Sequence, residues 1–170
     1  TERGASIYDL VIEAGRGALE DAGVAAQEID AVYIAACSPS LFVNQEHLAP
    51  LGVMVDDALR FKPMTRVEGA CASSSLGAFQ GVYAIEAGRA KNVLVIGVEK
   101  MNELNTKGVT HALACSSYWP EEGGEGMTFP GLFAELAKAY QAHYKISDED
   151  FRRALATVAA LCYQNGLENP

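Results

Sequence analysis

Basic residues are scarce in this sequence: 13 Lys and Arg stand against 22 Asp and Glu, a formal net charge of −9. A protein that tracks a phosphate backbone needs a basic face, so nucleic-acid binding is not expected. Net charge is not local potential, and a small basic patch for a phosphate-bearing ligand stays open. Long apolar runs are also missing. No stretch approaches the roughly 20 residues of a membrane helix, and Thr1 to Ser6 is polar, unlike a secretory signal. Cysteine is used four times, at Cys37, Cys71, Cys115 and Cys162, without a Cys-x-x-Cys pair. That spacing argues against a disulfide framework and against a metal site, and for a reducing, cytoplasmic setting. A cysteine there is ordinarily a small buried apolar residue, so any special role must come from its neighbours.

What is present suits one globular domain. Hydrophobic residues make up 49% and charged residues 21% of 170 positions, enough for a real core. The sequence opens without Met and ends in the turn-like Asn165-Gly166-Leu167-Glu168-Asn169-Pro170, which reads as a fragment of a longer chain.

The apolar periodicity predicts an amphipathic helix over 7–22, with Ser6 as N-cap and Gly23 as stop. Residues 31–36 and 92–98 read as buried strands, the second apolar throughout and so covered on both faces. Residues 38–64 are broken by Pro39, Pro50, Gly52 and Pro63, with only 45–51 helical, and excursions of that kind serve function or an interface. A short strand over 66–70 leads to Cys71, and a helix over 72–87 follows. Gly77, Ala78, Gly81 and Ala84 give that helix small residues for close backbone approach, so it is expected to be buried. Residues 102–131 read as irregular, with an acidic, solvated tip at 121–126. Helices are expected over 132–143 and from 147 to about Tyr163, the last capped by Ser147. Alternating helices and buried strands define an α/β layer fold.

The informative segment is Val67-Glu68-Gly69-Ala70-Cys71-Ala72-Ser73-Ser74-Ser75. It places a thiol at a strand-to-helix junction. The free N–H groups and dipole of a helix start favour a thiolate, the form that attacks, and can also hold an oxyanion. A buried structural cysteine is the competing reading. Ser73 is either a helix-capping residue or a support for the turn.

Read from Arg66 to Ser74, this segment is similar to the Cys-x-Ser active-site segment of thiolases. It most resembles the sterol-carrier-protein-type and archaeal acetyl-CoA acetyltransferase branch. The resemblance continues through Glu86-Ala87-Gly88, Val93 to Val98, Glu99-Lys100-Met101 and Gly126 to Ala134, spanning nearly the whole chain. It implies a thiolase-like layered fold and the N-terminal βαβαβ half of it, incomplete. The core would lie at about 1–101 and 144–170, and a loop-domain insertion at about 102–143. It implies acyl-CoA and CoA as substrates, with no other cofactor. Cys71 would be acylated, its backbone N–H would help form an oxyanion hole, and Ser73 would support the loop. Met127, Phe129 and Phe133 would line the acyl pocket, although core packing accounts for them too, slightly better for Phe133. A homodimer or tetramer is expected, with 38–64 contributing to the interface.

The departures from the family pattern are specific. The thiolase base lies in a Gly-His-Pro motif and the second cysteine in a Cys-x-Gly motif, and neither motif occurs here. His47, His111 and His143 lack that context, and surface or structural roles are expected, with His111 in a loop. Cys115 sits in Ala114-Cys115-Ser116-Ser117, which mimics the nucleophile segment with no buried helix after it. Cys37 and Cys162 read as core or near-core residues. Two alternatives stay open: a 3-oxoacyl synthase, and a non-catalytic thiolase-like subunit that binds acyl-CoA or a partner.

Overall fold

The computed structural model describes residues 4–169. They fall into two compact units, the first ending at Ser116 and the second beginning at Ser117.

The first unit is an α/β layer structure. Helix α1 (Ile7–Ala22) starts where Ser6 accepts the backbone N–H of Asp9 and Asp9 reaches back to Ser6, and it stops at the left-handed Gly23. Three parallel strands follow: β1 (Ala31–Ala35), β2 (Met64–Val67) and β3 (Val93–Gly97), in the order β2-β1-β3. The register aligns Ala35 with both Val67 and Gly97, so the C-terminal ends of all three strands share one edge. In open α/β sheets that edge is where sites are built.

Side-chain alternation sets the two faces of the sheet. Val32, Ile34, Leu94 and Ile96 join Ile7 and Val11 of α1 in one buried cluster. Val93 and Val95 point the other way, under the helix Ser73–Glu86, which is α3. A Cβ at Gly77 would stand 3.1 Å from Val95 Cγ1 and 3.2 Å from the Ala35 methyl, and one at Gly81 would stand 3.3 Å from Val95. The small-residue stripe thus has its packing reason, and β3 is covered on both faces as its composition predicts. The expected burial of α3 holds for one side only. Ser73, Gly77 and Gly81 are buried, whereas Leu76, Phe79, Val82, Tyr83 and Ile85 on its remaining surface are exposed.

The excursion between β1 and β2 differs from its sequence reading. Pro39 starts a short helix α2 (Pro39–Val43), and 3-10 turns cover Ala49–Met54 and Asp57–Leu59. Leu48, Val55 and Leu59 from this stretch are almost wholly buried and belong to the main core. The prolines punctuate it without making it a surface loop.

Helix α4 (Thr106–Ala114) lies in a region read as irregular. Asn105 caps it by accepting the N–H of Gly108, and Ala112 and Ala114 are buried. Thr106, Gly108, Val109 and Thr110 are weak helix formers, so packing and the cap carry this helix over its propensity. His111 consequently sits in its last turn, not in a loop.

The second unit holds α5 (Phe129–Tyr144) and α6 (Asp148–Leu167). Helix α5 begins earlier than its sequence reading and α6 runs on past Tyr163. Thr128 caps α5 by accepting the N–H of Gly131, with Pro130 in the first turn. Ser147 caps α6, and Gln141 bridges the connecting turn to Asp148 Oδ1 at 2.8 Å. Neither helix has a buried residue, so Cys162 is exposed, contrary to its core reading. Among the described residues, no helix is long and apolar enough to cross a membrane.

Candidate active site

Between β2 and α3 the chain makes a tight 3-10 turn, Ala70–Ala72, with Cys71 at its centre. Ala70 is left-handed, with φ at 49°. For a residue with a Cβ that conformation costs about 1–2 kcal/mol, so the surroundings must impose it. They do so through four hydrogen bonds. Ser73 Oγ donates to Ala70 O at 2.6 Å and accepts from Gly69 N at 3.0 Å. Glu68 Oε1 accepts the Ala70 N–H at 2.5 Å, and Ala72 N donates to Gly69 O at 3.0 Å. Ser73 is only 4% exposed, whereas Cys71 is exposed. The N-cap position of α3 is Ala72, which offers no capping side chain. Its first-turn N–H groups are therefore not occupied by a cap oxygen, and an anion formed near Cys71 can use them.

Cys71 lines a cavity of about 350 Å³ at the C-terminal edge of the sheet. Ala35, Ala36, Gly97 and Val98 come from the strand ends, Phe42, Met101 and Leu113 are apolar, and Cys37, Ser73, Ser74 and Glu99 are polar. A wider depression of about 710 Å³ lies by α1, lined by Arg16, Glu20, Asp56 and Asp57 among others. No thiol or hydroxyl side chain is among its lining, so size alone does not single out a site. The smaller cavity has the thiol and the helix start.

Two charged residues that sequence reasoning left without a role hold one wall. Glu99 Oε2 accepts the backbone N–H groups of Cys37 at 2.7 Å and Ser38 at 3.1 Å. Arg66 Nη2 donates to Cys37 O at 3.1 Å and Nη1 to Glu46 Oε2 at 3.2 Å. The available signal was an acidic residue directly after an apolar strand, at the strand's C-terminal end. The next residue, Lys100, is 5% exposed and is paired with Glu103 Oε1 at 2.9 Å and Asn102 Oδ1 at 3.0 Å.

The other residues singled out from the sequence have surroundings of their own. Phe129 and Phe133 meet edge-on at 5.1 Å on α5, just after Met127, and Phe133 is 56% exposed. All three belong to the second unit, whereas the cavity is lined by the first. None of the histidines lines the cavity. His111 Nε2 lies 3.8 Å from Cys115 Sγ, and the His143 ring stands edge-on to Tyr144. Cys115 is the C-cap of α4, at the wrong end of a helix for the nucleophile pattern it mimics. Cys37 is half-buried, with its Sγ 3.4 Å from Ser38 Oγ and 3.6 Å from Ser116 Oγ. Among the described residues, no group of three or more His, Cys, Asp or Glu is placed to hold a metal ion.

A thiol on a strained strand-to-helix turn, beside a cavity and an uncapped helix start, is an arrangement that covalent acyl transfer can use. Comparison with known proteins places the chain in a family. Residues 1–170 match the family described as thiolase, N-terminal domain, and the chain belongs to that family. It is 39% identical over 166 residues to an acetyl-CoA acetyltransferase of Methanothermobacter thermautotrophicus, covering 97% of this chain and 41% of that protein. It is 37% identical over 164 residues to the acetyl-CoA acetyltransferase of Methanocaldococcus jannaschii, covering 96% and 40%. A β-ketoacyl-[acyl-carrier-protein] synthase III of Chlorobaculum tepidum matches 96 residues at 33% identity, covering 56% of this chain and 28% of that protein. The chain thus spans about two fifths of the length of the acetyltransferases it resembles.

Proposed function

We propose that this chain carries the nucleophile of a thiolase-type acyl-CoA C-acyltransferase. One observation carries the reading: Cys71 stands exposed on a turn held in a costly conformation, on the rim of a cavity that also receives the start of α3. Rigid presentation of a thiol is what covalent acyl transfer needs. The Cys71 thiolate attacks the thioester carbonyl of an acyl-CoA, forming a carbon–sulfur bond. CoA leaves as its thiolate and takes up a proton. A second acyl-CoA, having lost its α-proton, attacks the acyl carbon, forms a carbon–carbon bond and releases the Cys71 thiolate. Free CoA attacking a 3-oxoacyl-CoA runs the same steps backwards. The groups that move those protons are the Gly-His-Pro histidine and the Cys-x-Gly cysteine of the family pattern, which this sequence does not contain. The reading extends to a homodimer or tetramer, which sedimentation at micromolar concentration checks; a monomer would count against it.

The test is incubation of the complete polypeptide with labelled acetyl-CoA, followed by peptide mapping. Label on Cys71, lost in Cys71→Ala, is the expected result. Because Cys71 is exposed, that substitution should change stability by no more than about 0.5 kcal/mol. A chain that binds acyl-CoA but never takes up label is a non-catalytic subunit instead. The second reading, a 3-oxoacyl synthase, draws on the match to the synthase III protein. That match covers 56% of this chain against 97% for the acetyltransferase, which favours the thiolase.

A further inference from the structure

We propose that Glu99 is a positioning residue for acylation of Cys71, acting through the Cys37–Ser38 turn; the inference rests on Cys71 being the nucleophile. Three strand ends meet beside the cavity: Cys37 follows β1, Arg66 lies on β2, and Glu99 follows β3. The peptide groups at Cys37 are gripped from both sides. Glu99 Oε2 takes the N–H of Cys37 at 2.7 Å and the N–H of Ser38 at 3.1 Å, and Arg66 Nη2 donates to the Cys37 carbonyl at 3.1 Å. The Arg66 bond is charge-assisted, and such bonds are about twice as strong as neutral ones. This grip therefore fixes the Cys37 wall more firmly than a loop would otherwise be held. Cys37, Glu99 and Cys71 all line the same cavity.

The arrangement is not optimised for stability. Glu99 Oε1 is buried and has no hydrogen-bond partner, and neither does buried Arg66 Nε. Buried polar atoms left in this way are rare, and they collect where geometry serves function. Here the cost sits on the two residues that hold the cavity wall, and nowhere else among the described side chains. A wall displaced by about 1 Å is enough to slow a reaction by up to about a hundredfold, because the acyl group no longer meets the nucleophile squarely.

The experiment uses the complete enzyme with Glu99→Ala, Glu99→Gln and Glu99→Asp. The readouts are the single-turnover rate of Cys71 acylation by labelled acetyl-CoA and the Kd for CoA. Glu99→Ala should slow acylation at least about tenfold while Kd stays within about twofold, separating alignment from binding. Glu99→Gln keeps an oxygen for both N–H groups and should recover to within about threefold of the wild-type rate. If Glu99→Ala does not fold, Glu99→Asp takes its place: one methylene shorter, it cannot reach both N–H groups and should show the same slowing. Wild-type acylation in the folded Ala or Asp variant overturns the proposal. So does a Glu99→Gln variant as slow as Glu99→Ala, because the tether would then be irrelevant. Absence of label on wild-type Cys71 instead defeats the acyltransferase reading itself, a different outcome from labelled wild type with an indifferent Glu99.

Discussion

Replacing Ser73 by Ala removes the side chain that closes the turn carrying Cys71. Its Oγ makes two hydrogen bonds, to Ala70 O at 2.6 Å and from Gly69 N at 3.0 Å, at a position only 4% exposed. Each bond contributes about 0.5–1.5 kcal/mol net, and more where the abandoned partner stays shielded from water, so the gross loss is about 2–4 kcal/mol. Part returns when Ala70 leaves the left-handed region, which relieves about 1–2 kcal/mol. The net cost is then about 0–3 kcal/mol. The loss is read as a lowered Tm by calorimetry on the complete polypeptide. Acylation should suffer more than stability suggests, since the turn that relaxes is the one carrying Cys71: about a tenfold loss for each ~1.4 kcal/mol of alignment. Ala70→Gly sharpens the test. Glycine takes φ of 49° without penalty, so Ser73→Ala should have a different cost in that background, with a coupling of about 0.5–2 kcal/mol. A Ser73→Ala protein with unchanged Tm and unchanged acylation refutes the strained-turn account. So does a cost that is the same whether or not Ala70→Gly is also present.

Three further outcomes follow from the packing and charges. Two glycines of α1 should respond oppositely to Ala. A Cβ at Gly15 would stand 2.6 Å from the buried, stiff Val55, costing about 1–3 kcal/mol of overpacking, whereas Gly17 faces open space and should gain about 1 kcal/mol of helix propensity; urea midpoints decide. Asp30 accepts the backbone N–H groups of Lys91 at 2.7 Å and Asn92 at 3.1 Å, which holds its carboxyl below the ordinary range. A lowered folded value means the contribution is present above the unfolded value and is lost as pH falls through the folded one. Asp30→Asn should therefore flatten the decline of Tm below about pH 4, and an unchanged acid limb would contradict this. Finally, Cys115 lines no part of the cavity, so Cys115→Ser should leave Cys71 acylation within about twofold of wild type.

Where one signal dominates, the sequence is legible. The 3.6-residue apolar period, Ser6 and Gly23 locate α1 to the residue, and apolar runs locate β1 and β3. Helix α4 is hidden because its first turn is Thr, Lys, Gly and Val. Those propensities oppose a helix that the Asn105 cap and buried Ala112 and Ala114 stabilise. The excursion after β1 misleads for a related reason. Prolines and a glycine are strong local signals, but burial of Leu48, Val55 and Leu59 is a tertiary fact with no local period. Arg66 gives no local sign of its role, and the position of Glu99 at a strand end marks it without saying what it holds. Only the register, which aligns Ala35 with Val67 and Gly97, brings them to the same peptide.

The composition of α3 carries both halves of the argument about the site. A helix placed against a sheet on one face needs small residues there. Gly77 and Gly81 meet that need: a Cβ at either would come within 3.4 Å of a valine of β3. Such a helix ordinarily turns polar residues outward. This one turns Leu76, Phe79, Val82, Tyr83 and Ile85 outward. Its sequence is that of a helix covered all round, and the first unit covers one side. The Cys71 thiol at its start therefore owes its presentation to the side that is covered. Close approach of α3 to β1 and β3 sets where Ser73 sits, Ser73 holds Ala70 through its carbonyl, and Cys71 follows Ala70 in that turn. Each step in that chain is a contact within the first unit, so the geometry of the thiol is specified by local packing and does not wait on the outer face of the helix.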